Sequence, residues 1–130
     1  MTDKEFLVLQ VDMSARVPYG LKALYGGLAI IDVEGVNYYG EVTPRGCNYT
    51  VPLEEVKPYL RQLSSMTDEE KKEWFKYSHV DYDCEFKPDA TLSVYDCHLS
   101  IDWLNEHHFD YRGLIEKGLA LEATEDMYKD

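Results

Sequence analysis

The stretch "LKALYGGLAIIDVEGVNYYGEV" (Leu21 to Val42) constrains the fold more than any other part of this chain. It holds three short segments of strand composition, "LKALY", "LAIIDV" and "VNYYGEV", the last two rich in β-branched and aromatic residues. Gly26 and Gly27 join the first two and supply the positive φ angles of a tight hairpin turn, while Glu34 and Gly35 join the next two. Consecutive strands joined this tightly run antiparallel. A small antiparallel meander buries only one face, so the rest of the chain must cover it. The expected architecture is α+β: a small antiparallel sheet with two or three short helices packed on one face, in a single domain spanning 1–130 that folds without a cofactor.

The covering helices are sought on either side of the meander. Thr2 and Glu5 have capping-box spacing, and Phe6, Leu9 and Met13 recur at helical intervals, which predicts a first helix over about 3–14. "LVLQV" also alternates, which makes a strand the competing reading. "VPYG" ends that element, and "TPRGCNYTVP" reads as a loop with a short fourth strand. "PLEEVKPYLR" reads as a brief helix opened by Pro52 and interrupted by Pro58. Thr67 begins the clearest helix, to about Tyr77. "DYDCEFKPDATLSVYDCHL" holds two strand segments around Pro88 and Asp89, and Ser100 with Asp102 is suited to cap a short helix "IDWLNEHH". The last residues, from about 124 to 130, read as a frayed acidic tail.

The charge distribution bounds the partners. The net charge is −12, with six basic against eight acidic side chains in residues 1–63 and seven against seventeen in 64–130. Nucleic-acid backbones are held by lysines and arginines gathered on one face, so no direct nucleic-acid binding is expected. An acidic surface serves solubility or meets a basic partner. The longest uncharged apolar run, "LYGGLAII", is too short for a membrane span, and the start "MTDKEFLVLQ" lacks the basic region of a signal peptide. Three scattered cysteines, Cys47, Cys84 and Cys97, suit a compartment where thiols stay reduced. A cytoplasmic location is expected.

"RQLSSMTDEEKKEW" (Arg61 to Trp74) places an arginine and three hydroxyls at a helix start, where phosphate groups are often held. Asp68, Glu69 and Glu70 all fall in the first turn, however, and already complement the helix dipole. A bound anion would be repelled by about 1 kcal/mol per carboxylate. Thr67 and Glu70 are therefore assigned to a structural cap, with Arg61 free to pair with the acidic turn.

Three blocks, "ARVPYGLK", "VKPYLRQLSSMTDEE" and "IDWLNEHHFDYRGLIEKGLALEATEDMY", together 51 of the 130 residues, resemble blocks that recur in this order in small uncharacterised proteins of phages, prophages and mobile elements of gut bacteria. This sequence has Gln62 and Thr124 where the blocks have prolines. The resemblance implies a mobile genetic origin, the cytoplasm of a bacterial host and an accessory role. It does not extend to 23–52 or 71–100.

Reactive constellations are each matched by a structural alternative. His79, Cys84, Cys97, His98, His107 and His108 are zinc-type ligands, but no Cys-x-x-Cys pair or i, i+4 histidine pair is present, so no metal is expected. No Gly-x-Ser-x-Gly elbow appears. Asp81, Asp83 and Glu85 would face one side of a strand, as paired acids or as a solvated, aggregation-blocking edge. "HHFDYRG" gathers His107, His108, Asp110, Tyr111 and Arg112 between a helix and a glycine. There Asp110 would orient a histidine or pair with Arg112; alternatively a histidine and Arg112 satisfy the carbonyls of a buried helix end.

Tyr19, Tyr25, Tyr38, Tyr39 and Tyr49 fall in or near the strand region with Arg16, Lys22 and Arg45. Tyrosine and arginine dominate protein interfaces and also stack on bases. Tyr38 and Tyr39, read as strand neighbours, would face opposite sides. The leading expectation is a non-catalytic accessory protein that binds a host or phage protein through its acidic face or tyrosine-rich sheet. The second is a sponge for a nucleotide-like small molecule, held by Arg16, Lys22, Arg45 or Arg112 and stacked tyrosines. The third is a small enzyme built on His107, His108 and Asp110. A homo-oligomer is compatible with each.

Overall fold

Thr2 and Glu5 close the capping box that their spacing predicts: the Thr2 hydroxyl accepts from the Glu5 N–H at 3.1 Å and the Glu5 carboxylate accepts from the Thr2 N–H at 2.9 Å. The computed structural model describes residues 1–77, 98–124 and 126–128. Helix α1 spans Asp3–Arg16 and buries Leu9, Asp12, Met13 and Arg16, one stripe at three- and four-residue spacing. That stripe outweighs the alternation in "LVLQV", so no strand forms there. A 3₁₀ turn, Val17–Tyr19, leads to β1 (Lys22–Tyr25) and β2 (Ala29–Val36), paired from Lys22 with Asp32 to Tyr25 with Ala29. Gly26 and Gly27 both take positive φ, 60° and 71°, as the hairpin requires.

The second turn lies elsewhere than expected. Glu34 and Gly35 are inside β2, at a bulge between Val33 and Gly35 against β3 (Glu41–Pro44). The chain reverses instead at 37–40, where the Asn37 side-chain oxygen accepts from the N–H groups of Tyr39 and Glu41 at 3.0 and 2.9 Å. This local bond makes Asn37 a stronger turn former than the Glu-Gly pair.

"PLEEVKPYLR" is also not a helix. It contains the end of β4 (Val51–Pro52), a 3₁₀ turn at Leu53–Glu55 and most of β5 (Val56–Gln62). Val56, Pro58 and Leu60 point inward and Lys57 outward, the period of a strand, and Pro58 could not have continued a helix. Helix α2 (Asp68–Tyr77) begins after Thr67 as expected. Helix α3 (His98–Glu106) starts before the proposed Ser100 cap. Two short strands follow, β6 (Phe109–Asp110) and β7 (Leu121–Glu122), each parallel to β5. The fold is α+β. Its sheet is mixed rather than purely antiparallel, in the order β4-β3-β2-β1-β5-β6 with β7 also on β5.

One core cluster joins Leu9 and Met13 of α1 to Ala23, Val33, Val42 and Leu60 of the sheet, and a second gathers Trp74, Trp103, Leu104 and Phe109 about α2 and α3. The tail is not frayed at Tyr128. Its hydroxyl accepts from the Lys22 N–H at 3.0 Å and reaches the Tyr59 carbonyl at 2.7 Å, and its ring stacks on His108 at 4.0 Å. The segment around Pro88 and Asp89, with Asp81, Asp83 and Glu85, lies outside the described residues. Among the described residues no helix is long and apolar enough to cross a membrane.

Candidate functional site

Helix α3 stops at Glu106, and His108 takes a left-handed φ of 58°, the conformation in which helices commonly end. That reversal separates the two histidines. His107 lies on the Trp103 ring at 4.1 Å and borders an open cleft, whereas His108 turns inward and is buried. His108 Nε2 is 3.0 Å from the Tyr19 carbonyl oxygen. A carbonyl only accepts, so Nε2 carries the proton and Nδ1 is bare. Burial, with smaller contributions from Arg16 and His107, outweighs the Tyr19 bond and lowers the His108 pKa to about 4. Burial likewise pushes the Tyr128 hydroxyl up.

Asp110 orients neither histidine. Its two carboxylate oxygens accept from the N–H groups of Leu114 and Ile115, both at 2.9 Å, and cap the turn that follows. Arg112 does not pair with Asp110 either; its Nε donates to Asp12 at 3.0 Å. Asp12 also holds Arg16 at 2.9 Å, and Arg16 reaches the Phe109 carbonyl at 2.6 Å. Arg16 and Asp12 have no solvent exposure. Tyr111 completes the network, accepting from Arg112 at 3.1 Å and donating to Asn105 at 2.9 Å. Asp12 was not among the residues singled out from the sequence, although its i, i+4 spacing to Arg16 was visible.

The cations expected for a small-molecule site do not converge. Arg16 is buried, Lys22 pairs with Asp32 at 2.7 Å, Arg112 is held by Asp12, and Arg45 is exposed in the loop after β3. The cleft beside His107, about 680 Å³, contains Arg61, Gln62, Thr67, Glu70 and Tyr128. Arg61 there is held by both oxygens of Glu70, each at 2.8 Å, and lies over the Phe109 ring at 4.1 Å. The Thr67–Glu70 cap forms as expected, at 3.0 and 3.1 Å. Burial raises the Glu70 carboxyl, but its bonds to Arg61 and Thr67 outweigh this and hold it below the usual range. Among the described residues no His, Cys, Asp and Glu side chains gather as a metal site. His79, Cys84, Cys97 and the His98 side chain lie outside those residues.

The tyrosines divide differently. Tyr25 sits opposite Ala29 and packs on the core, Tyr19 is partly exposed, and Tyr49 stands in the loop before β4. Tyr38 and Tyr39 are not strand neighbours on opposite faces. Both project from the 37–40 turn, 90% and 80% exposed, with ring centroids 5.8 Å apart at 84°. The backbone beneath them is firmly held. Gln10 of α1 donates to the carbonyls of Asn37 and Tyr38 at 2.8 and 2.9 Å, and the Leu53 N–H donates to Gly40 at 3.0 Å. Gly40 has φ 77°, and a Cβ there would overlap the Phe6 ring. The Asn37 amide, with help from Thr50, holds the Glu41 carboxyl below its ordinary range. Phe6 also lines a hollow of about 440 Å³, together with Met1, Thr2, Asp3 and Glu54.

Comparison with family models, with curated proteins and with solved structures finds no match to this chain.

Proposed function

We propose that this protein acts by binding another protein, without catalysis, and that the Tyr38–Tyr39 turn is its point of contact. The observation that carries the reading is a pair of large aromatic side chains held almost wholly in solvent on a backbone bonded from both sides. Exposed apolar groups on mobile loops are common and uninformative. A rigid aromatic pair loses little conformational entropy on docking, which is why tyrosines anchor interfaces. By contrast, Asp110 is bonded to the Leu114 and Ile115 N–H groups, His108 to the Tyr19 carbonyl and Arg112 to Asp12, as structural groups are. The resemblance of the three sequence blocks directs the search to host and phage proteins.

The test is affinity capture from host lysate, with and without infection, using the native protein and the Tyr38→Ala/Tyr39→Ala double variant. A protein retained by the first and lost by the second supports the reading. Identical retention by both, or turnover of a nucleotide by the purified protein, overturns it.

A further inference from the structure

We infer that the partner presents an arginine- or lysine-bearing segment, with one cation over the Tyr38–Tyr39 rings and a neighbouring one in the Asp3–Glu54 hollow. This deepens the proposed function and rests on it. Three observations converge on that chemistry.

First, the rings are built to receive something. Each exposed ring offers a negative π face, and the edge-on arrangement at 84° leaves the face of one ring open. Elsewhere in this molecule arginines already occupy such faces: Arg61 on Phe109 at 4.1 Å, Arg112 on Tyr111 at 4.9 Å and Arg16 on Tyr111 at 5.4 Å. Among the described residues no cation lies over Tyr38 or Tyr39. At their exposure the two rings offer on the order of 300 Å² of surface, the lower end of the largest exposed patch on a typical monomer.

Second, the neighbouring hollow has the matching charge. Gly40 packs on the Phe6 ring and Phe6 also lines the hollow, so the turn and the hollow adjoin at that residue. Asp3 and Glu54 border the hollow, and among the described residues neither has an ion-pair partner. A hollow bordered by two carboxylates and lined in part by Phe6 suits a guanidinium or ammonium group and disfavours an anion.

Third, the whole molecule carries −12. A basic segment is drawn toward the molecule as a whole and an acidic one is turned away; most of that charge lies in 64–130, so the preference for this surface comes from Asp3, Glu54 and the two rings.

The inference is tested with a fluorescein-labelled (Arg-Gly)4 peptide, measured by anisotropy at 50 and 150 mM salt. The native protein is compared with Tyr38→Leu/Tyr39→Leu, which keeps every charge, and with Asp3→Asn/Glu54→Gln, which keeps the rings. All four positions are exposed, and far-UV circular dichroism confirms that the fold is kept. The expected result is a Kd at least tenfold weaker for the tyrosine variant and three- to tenfold weaker for the carboxylate variant, with an uncharged (Gln-Gly)4 peptide not binding. Equal binding by native protein and tyrosine variant means that net charge alone attracts the peptide, and overturns the inference. So does an absence of binding to the native protein. If either happens while capture from lysate still depends on Tyr38 and Tyr39, only the basic chemistry is wrong. If that dependence is also missing, the proposed function falls with it.

Discussion

Replacing Asp12 with asparagine leaves two arginines without their shared carboxylate, one of them fully buried. Removing one partner of a buried pair costs about 3–5 kcal/mol, since the remaining charge stays desolvated. The Asp12→Asn protein is therefore expected to melt at least about 10 °C lower than the native one by calorimetry; a change within a degree or two would mean the network contributes little. His108 sets a second expectation. Its pKa falls from 6.5 to about 4 on folding, so the unfolded chain binds the proton more tightly. Stability is complete above pH 6.5 and is lost as the pH falls toward 4. Between pH 7.5 and 5 the loss is about 2 kcal/mol by linkage, and it should be readable from urea midpoints in a range where most carboxylates remain charged. A His108→Gln variant should lose that slope. Asp12 was hard to read in the sequence because its second partner, Arg112, lies 100 positions away. The histidine pair misled for a different reason: a positive φ at His108 is a property of the helix end, and nothing in "NEHHF" announces it.

At the level of elements, what was legible was local. The caps of α1 and α2 depend on residues three apart, and both formed where the spacing placed them. Thr67→Ala should cost about 1 kcal/mol in chemical denaturation. β5 was misread because Pro52, Glu54 and Glu55 are helix-start signals that here serve only a 3₁₀ turn. The Glu34–Gly35 pair was misread because a glycine at a bulge looks like a glycine at a turn. The real turn supplies its own test. Gly118 has φ 76° with open space around it, so alanine there should cost about 1–2 kcal/mol of left-handed strain. Gly40 adds overlap with Phe6, which brings a further loss of about 1–3 kcal/mol. Equal losses in the two alanine variants would show that Phe6 moves freely and that the turn is less firmly seated than described.

Across the whole molecule, the α+β class followed from the meander and two capped helices, while the parallel strands did not. β6 and β7 are two residues each, too short for any period to be seen. Tyr128 was equally hidden, since its partners are Lys22, Tyr59 and His108. Tyr128→Phe should destabilise by about 1–3 kcal/mol by stranding the Lys22 N–H and the Tyr59 carbonyl; a neutral outcome in thermal unfolding would show that solvent replaces the hydroxyl. The position of β5 matters beyond equilibrium. Tyr59 and Leu60 pair with Leu121 and Glu122, and Arg61 and Gln62 with Phe109 and Asp110. Contacts so distant along the chain close slowly, because loop entropy is lost before any pairing rewards it. A ribosome that has just released β5 must therefore extend the polypeptide by dozens of residues before those flanks are filled. During that interval the half-made sheet has an unpaired edge, the kind of surface through which partly folded chains aggregate.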